Sequence, residues 1–315
     1  MSILDNLRKP NSRKKGLKIL VYGPTGVGKT LFALSFPKIV DVDTEDGAGW
    51  YEGTEKGKNL LNILDTQSYD DLEELLDDLE DNDGEFETLV IDSETKIYEN
   101  IQEALQAVEE NRASRKGRDV LDANISVRSW GKIKQLASRL QNAKLRLASQ
   151  GVNIVSIAQS ADVMEDAGGG QRVKVGEKPD MAKKAPFDYD VILRLLVKDG
   201  KYYGVVEKDR TNTVELGEEI ENPSYAIWEK RLKAKDNQGE TIVKDFAKDS
   251  EKSQKAYEEE VKASMSFSDR VKEHLTQLGK EDQKKFVEAM VKATGTKKVN
   301  DMDEEQQAKV LALMK

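Results

Sequence analysis

Apolar positions follow two rhythms along the first two thirds of the chain. Short unbroken runs, LKILVYG (17–23), KIVDVD (38–43), ETLVIDS (87–93) and VNIVSIAQ (152–159), have strand length and end at glycine or polar positions. Strands buried on both faces read this way, and they belong to parallel sheets. Between the runs the period becomes helical. KTLFALSF follows the first run and stops at Pro37, and YDDLEELLDDLED (69–81) puts its leucines on one face and acids on the other. A long helical stretch runs from about Thr95 to Asn111, and WGKIKQLASRLQNAKLRLASQ (130–150) ends at Gly151. YDVILRLLV (189–197), the turn KDGK and YYGVVEKD (202–209) predict a hairpin. Strands alternating with helices and closed by a hairpin predict an α/β core, a mostly parallel sheet flanked by helices.

Other segments lack such rhythm. Residues 112–128 are basic, and residues 160–186 are rich in Gly, Lys and Asp without periodicity, which predicts a long loop. Residues 1–16 predict a basic arm with a small apolar patch, Ile3, Leu4 and Leu7. Residues 231–265 are dominated by Lys, Glu and Asp and predict a charged linker or an exposed helix. Beyond them SDRVKEHLTQLG, EDQKKFVEAMVKATG and MDEEQQAKVLALMK are short amphipathic segments. Val271, Leu275 and Leu278, then Phe286, Met290 and Val291, stand at helical spacing there. The expected organisation is therefore an arm (1–16), a core (17–230), a linker (231–265) and a small C-terminal helical domain (266–315). The tail reads as a small helical core or as a docking module for a partner or for DNA.

Composition narrows the chemistry. The chain has 315 residues, 37% hydrophobic and 35% charged, and no apolar run approaches the ~18 residues of a membrane span. The N-terminus carries no apolar signal segment, so a cytoplasmic, non-membrane protein is expected. Cysteine is absent, which excludes thiol catalysis, disulfides and thiolate–zinc sites, and the single histidine, His274, argues against a His-based triad or a His-rich metal site. His274 is expected on an exposed helix face. The net charge of −9 repels nucleic acid on average, and residues 65–87 hold no basic residue. Arg112 to Arg118 and Gly168 to Lys184 are locally basic, and a local patch binds an anion that the average repels.

The strongest chemical signal is GPTGVGKT: Gly23, Pro24, Thr25, Gly26, Val27, Gly28, Lys29 and Thr30. A buried strand precedes it and a helix follows, the context that a phosphate-binding loop needs. The glycines let backbone N–H groups curl around a polyphosphate, and the helix N-terminus adds its dipole. Lys29 places a charge against the β- and γ-phosphates, and the Thr30 hydroxyl ligates Mg²⁺. ATP with Mg²⁺ is the expected ligand pair. Asp92 ends the apolar strand TLVID and supplies a carboxylate to hold the metal through water. Ser93 follows it, where ring ATPases of the AAA+ type often place a glutamate, so the water-activating base lies elsewhere, with Glu94 nearby. In IVDVDTEDG (39–47) the second strand ends next to Glu45, and strand C-termini form the ligand crevice of an open parallel sheet.

The ordered set GPTGVGKT, VDVDTEDG, TLVIDS, NIVSIAQS and GVVEKDRTN resembles the RecA core in the same order, over about residues 17–215. It is most similar to the short phage-encoded RecA-like ATPases, the Sak-type single-strand annealing proteins. The resemblance implies a RecA-like P-loop NTPase fold in which Glu45 activates the attacking water, Asp92 is the metal-linked carboxylate and Gln159 senses the γ-phosphate. It implies that Lys208 and Arg210 reach the γ-phosphate of a neighbouring subunit. Tyr51 either stacks on adenine or is a packed surface aromatic. Two loops would line a DNA path, one with Arg112, Arg115, Lys116 and Arg118, the other with Arg172, Lys174, Lys178, Lys183 and Lys184 around the glycines 168–170. Trp130 and Phe187 are the aromatics at their edges.

The resemblance implies an ATPase stimulated by single-stranded DNA that assembles with itself as a ring or filament and promotes annealing or strand exchange. A single-strand-binding or recombination protein would be the partner of the tail, and the setting would be the cytoplasm of an infected or lysogenic bacterial host. A replicative helicase or helicase loader would use the same core. An ATP-gated scaffold has no use for Glu45. A GTPase would need an N-K-x-D motif, and a small-molecule kinase leaves the paired basic loops without a role.

Overall fold

The computed structural model describes residues 4, 7–10, 14–81, 85–168, 171–234, 239 and 246–314. It divides into two compact units, Met1–Phe246 and Ala247–Lys315. Parts of the expected N-terminal arm (1–3, 5–6 and 11–13), of the expected linker (235–238 and 240–245) and the glycines 169–170 lie outside the described residues.

The first unit is organised by a mixed, mostly parallel sheet. Its strands are β1 (Lys18–Gly23), β2 (Ile39–Asp43), β3 (Leu60–Asp65), β4 (Thr88–Asp92), β5 (Asn153–Gly168), β6 (Gln171–Pro179), β7 (Val191–Lys198), β8 (Lys201–Asp209) and β9 (Glu219–Glu221). The order across the sheet is β3-β2-β4-β5-β1-β7-β8-β9, with β6 paired to β5 alone. Neighbours from β3 to β7 run parallel, whereas β5–β6, β7–β8 and β8–β9 are antiparallel. The runs KILVYG, IVDVD and TLVID are buried almost throughout, as expected for strands covered on both faces.

Alternation sorts the side chains into two layers. Ile19, Val21, Val90, Val155, Ile157, Val191 and Leu193 face α1 (Lys29–Ala33) and α5 (Ala226–Leu232), where Phe32, Phe36 and Trp228 close one core. Phe32 meets Phe36 and Trp228 edge-on, and the Trp228 indole N–H donates to Asp209 Oδ2 at 3.2 Å. A buried indole needs such a partner. Val40, Val42, Leu89, Ile91 and Ile154 face the other way, onto α2 (Tyr69–Asp81), α3 (Glu94–Arg115) and α4 (Val127–Ser149).

Both segments expected as loops are more ordered than their sequence suggests. Residues 160–186, read as a long loop, are mostly a hairpin: β5 continues through Gly168 and pairs with β6. A register shift at Val163/Met164 breaks the two-residue alternation, and charged residues alternate with Val163, Val173 and Val175. The basic stretch 112–128 is shorter as a loop, because α3 runs to Arg115, a 3-10 turn covers Val120–Asp122 and Ser126 caps α4. The short strands β3 and β9 and the helix α5 leave no clear trace in the periodicity.

The second unit holds α6 (Phe246–Ser264), α7 (Phe267–Gln277), α8 (Lys280–Thr294) and α9 (Glu304–Leu313). Val271, Phe286, Met290, Met302 and Val310 form its core, and a capping box of Asp303 and Gln306 starts α9. His274, expected to be exposed, is half-buried with its ring 4.7 Å from that of Phe286. No helix among the described residues is long and apolar enough to cross a membrane.

Candidate nucleotide-binding site

The site assembles at the C-terminal edge of the parallel strands. Gly23 ends β1 with so little space that a Cβ there would lie 2.5 Å from the Leu195 carbonyl oxygen. Gly28, with φ of 87°, caps α1 in the left-handed region that favours glycine. A glycine-bearing turn between a buried strand and a helix start is the backbone arrangement whose N–H groups cradle phosphate. Lys29 Nζ donates to the carbonyls of Gly23 and Pro24 at 3.0 and 2.8 Å, so the ammonium lies over the loop mouth. Burial depresses its pKa, against the opposing pull of Asp92 and Glu45.

β5 is inserted between the loop strand β1 and the Asp92 strand β4. Thr30 bridges that gap, its Oγ1 donating to Asp92 Oδ2 at 2.6 Å. Burial pushes the Asp92 carboxyl up to about 6, with Thr30 and Lys29 pulling down and Glu45 and Asp43 adding to the rise. Among the described residues no group of three or more His, Cys, Asp or Glu side chains is placed to hold a metal. The hydroxyl and carboxylate oxygens present suit Mg²⁺, which takes few protein ligands and fills its octahedron with phosphate oxygens and water. Thr30 and Asp92 are the residues that would hold it.

Glu45 is positioned by its own turn. Asp43 accepts from the N–H groups of Glu45 and Ala48 at 3.0 and 2.6 Å, and Thr44 Oγ1 accepts from the Ser93 N–H at 2.7 Å. Glu45 itself is exposed, and its Oε1 accepts from Ser93 Oγ at 2.8 Å and from Gln159 Nε2 at 2.9 Å. Gly23 and Gln159 are Cα partners in the register of β1 and β5. The loop, Asp92, Glu45 and Gln159 thus meet in one place.

Other expected residues go elsewhere. Glu94 is buried and tied to Gln141 Nε2 (2.7 Å), Lys144 Nζ (2.6 Å) and the Tyr189 hydroxyl (2.7 Å), so it is a structural acid and not a base at the pocket. Tyr51 is half-buried against the core beside α1. Tyr202, read from sequence only as a strand residue, lies next to the loop: a Cβ on Gly28 would be 3.5 Å from its Cδ1, and the ring is 44% exposed. The pattern YYG after a glycine turn was the available signal, but only the sheet order brings it beside Gly28.

Lys208 and Arg210 do not meet the phosphate loop of their own chain. Lys208 pairs with Ile192, which pairs with Leu20, and Arg210 N–H bonds Asp190 O beyond the start of β7. Both cations cap carbonyls, Lys208 those of Pro186 and Phe187 at 3.1 Å and Arg210 that of Phe187 at 3.1 Å. Burial, then Arg210, lowers the Lys208 pKa.

Of the basic residues, Arg115, Lys116 and Arg118 are exposed at the end of the α3–α4 hairpin. Arg112 pairs with Glu109 at 2.8 Å, and Glu109 also accepts from Ser126 Oγ at 2.6 Å. Val120, Leu121, Val127 and Trp130 are exposed in the same tip. In the β5–β6 hairpin Arg172 and Lys174 face acids, and Lys178 does not. Lys174 bridges Asp162 and Glu177 at 2.7 and 2.8 Å, Arg172 stands opposite Asp166, and Lys178 stands opposite Ala161. Lys183 and Lys184 are exposed beyond β6, and Phe187 is 72% exposed.

Fold and site together define a P-loop nucleotide-binding domain of the ATPase type. Residues 15–219 match the AAA_24 family, described as an AAA domain, and the chain belongs to that family. No curated protein matches it. Among solved structures it is similar to one titled the crystal structure of the RadB recombinase, with 19% identity, a TM-score of 0.42, and coverage of 66% of this chain and 87% of that one.

Proposed function

We propose that this protein hydrolyses ATP in a RecA-like manner and couples hydrolysis to single-stranded DNA, as a self-assembling recombination protein of the phage annealing type. The contact between Glu45 and Gln159, next to the Thr30–Asp92 pair, carries the reading. A carboxylate held at the pocket edge by two neutral donors suits a water-activating base, a role worth about 10²–10⁴-fold in rate. Gln159 is the amide whose bond to Glu45 competes with a bond to the terminal phosphate, so nucleotide state reaches the hairpin that starts at Gln159. Bound Mg²⁺ would neutralise charge that develops on the phosphate oxygens.

Lys29 and the loop N–H groups bind the polyphosphate. Tyr202 supplies a shelf for the base in place of Tyr51, because its exposed ring flanks the loop while Tyr51 is committed to the core. Lys208 and Arg210 serve a neighbouring subunit, since they lie away from their own loop. The α3–α4 tip, where Arg115, Lys116 and Arg118 accompany Trp130, offers cations and a ring together, the combination that grips single strands. Arg172, Lys174 and Lys178 take a smaller part, because neighbouring acids already neutralise that ribbon in part. The helical unit 247–315 docks a recombination partner. An ATPase assay with and without oligonucleotide tests the proposal. Turnover that rises with the strand supports it, and absence of turnover under both conditions refutes it.

A further inference from the structure

Thr95 lies in the first turn of α3, just after the Asp92–Ser93 pair. It is buried, with 1% of its surface exposed, and its hydroxyl makes a bond on each side. The Gln159 N–H donates to Thr95 Oγ1 at 2.9 Å, and Thr95 Oγ1 donates to the Asp180 carbonyl at 2.7 Å. The ring closes because the Asp180 N–H donates to the Gln159 carbonyl at 2.8 Å. Gln159 and Asp180 are the two feet of the β5–β6 hairpin, directly below its first pair, Ser160 and Pro179.

We infer that the Thr95 hydroxyl is a positioning pin that locks both feet of the hairpin to the helix behind Asp92, so that the Gln159–Glu45 contact and the hairpin move as one body. The inference rests on the ATPase reading above and names how that site reaches the ribbon. Neighbouring residues fix the pin. Ser93 touches Glu45 on the pocket side, and Glu94 is anchored by Gln141, Lys144 and Tyr189 on the other, so the first turn of α3 cannot yield on its own. The Gln159 backbone is thereby held while its side chain reaches Glu45. Without the hydroxyl, the Gln159 N–H and the Asp180 carbonyl both lose the partner of a part-buried hydrogen bond. The feet then still pair with each other but are no longer indexed to α3.

The test uses the full chain with Thr95→Val, which keeps the shape and removes the hydroxyl, and Thr95→Ser, which keeps it. Affinity for a fluorescent ATP analogue should stay within about twofold for Thr95→Val, while kcat falls about three- to tenfold, the effect of removing one orienting hydrogen bond. Thr95→Ser should restore the rate, and Thr95→Val should add nothing to Gln159→Ala, because both act through one group. Wild-type kcat in Thr95→Val, or a loss that multiplies with that of Gln159→Ala, overturns the pin. A second arm needs no hydrolysis. Without nucleotide, amide exchange over residues 160–168 and 171–180 should quicken together in Thr95→Val, and quickening in neither strand or in one alone overturns the pin. Should Thr95→Val not fold, the wild-type exchange on adding the analogue decides: both strands must slow together. A wild-type chain that binds the analogue but never hydrolyses ATP defeats the ATPase reading and leaves the exchange arm as the judge of the pin.

Discussion

Gln159 Nε2 lies 2.9 Å from Glu45 Oε1, although 114 positions separate the two residues. The contact exists because β5 ends in register with β1 while the β2 turn, braced by Asp43, leans over Ser93. It puts the proposed base and the proposed phosphate sensor on one hydrogen bond.

Glu45→Gln preserves the size of the side chain and removes its basicity. ATP binding should persist, and turnover should fall by about 10²–10⁴-fold. Equilibrium binding beside steady-state hydrolysis checks this, and wild-type turnover would remove Glu45 from its role.

Tyr202→Ala should weaken ATP binding and leave tripolyphosphate binding intact, because the ring offers stacking area and no charge. The loss should be about 1–3 kcal/mol, the range for base–aromatic stacking. Tyr51→Ala, which opens the core next to α1, should instead lower the melting temperature. Calorimetric titration of the two variants separates the roles, and equal loss of both ligands in Tyr202→Ala contradicts the shelf.

Reversing Arg115, Lys116 and Arg118 to Glu should weaken oligonucleotide binding without changing nucleotide affinity. For every phosphate no longer neutralised, the salt dependence should flatten by about 0.7 in log–log slope. Lys174→Gln should change binding much less, since two carboxylates already engage that ammonium. Anisotropy titrations across salt concentrations read both effects.

Removing one member of the buried Glu94–Lys144 pair leaves the other charge unpaired. Lys144→Met should destabilise by about 3–5 kcal/mol. Glu94→Leu combined with Lys144→Met should recover much of that loss. Denaturant unfolding of the single and double variants is the measurement, and an unchanged midpoint for Lys144→Met would contradict the pairing.

Asp41 gives the chain a pH dependence. It is 1% exposed, its Oδ1 has no hydrogen-bond partner, and burial, then Asp92, Asp43 and Asp65, push its pKa up to about 8. The folded state therefore holds a proton that the unfolded chain has released, and this contribution to stability fades as pH rises from about 4 toward about 8. Asp41→Asn removes the titration, so its melting temperature should fall less than that of the parent between pH 5 and about 9. Parallel slopes for the two proteins would refute the assignment.

The core strands and the site motifs were legible because their causes are local. Unbroken apolar runs such as KILVYG announce burial on both faces, and the glycine spacing around Lys29 is itself the loop geometry. Glu45 could be placed near the pocket because strand ends face the crevice in any open parallel sheet. β3 escaped notice because half of its side chains face solvent and no clean alternation marks it. The β5–β6 ribbon escaped because its bulge and its charges erase the two-residue period that identifies a strand.

By itself the sequence determined the phosphate loop, the acidic strand end and the alternation of strands with helices, all set by nearest neighbours and by the apolar period. Only the tertiary structure decided that Glu45 meets Gln159, that Glu94 serves Lys144 instead of the pocket, that Tyr202 flanks the loop, and that Lys174 is neutralised in its own hairpin. Each of these depends on strand order and register, which bring together residues far apart in the chain and which no local pattern encodes.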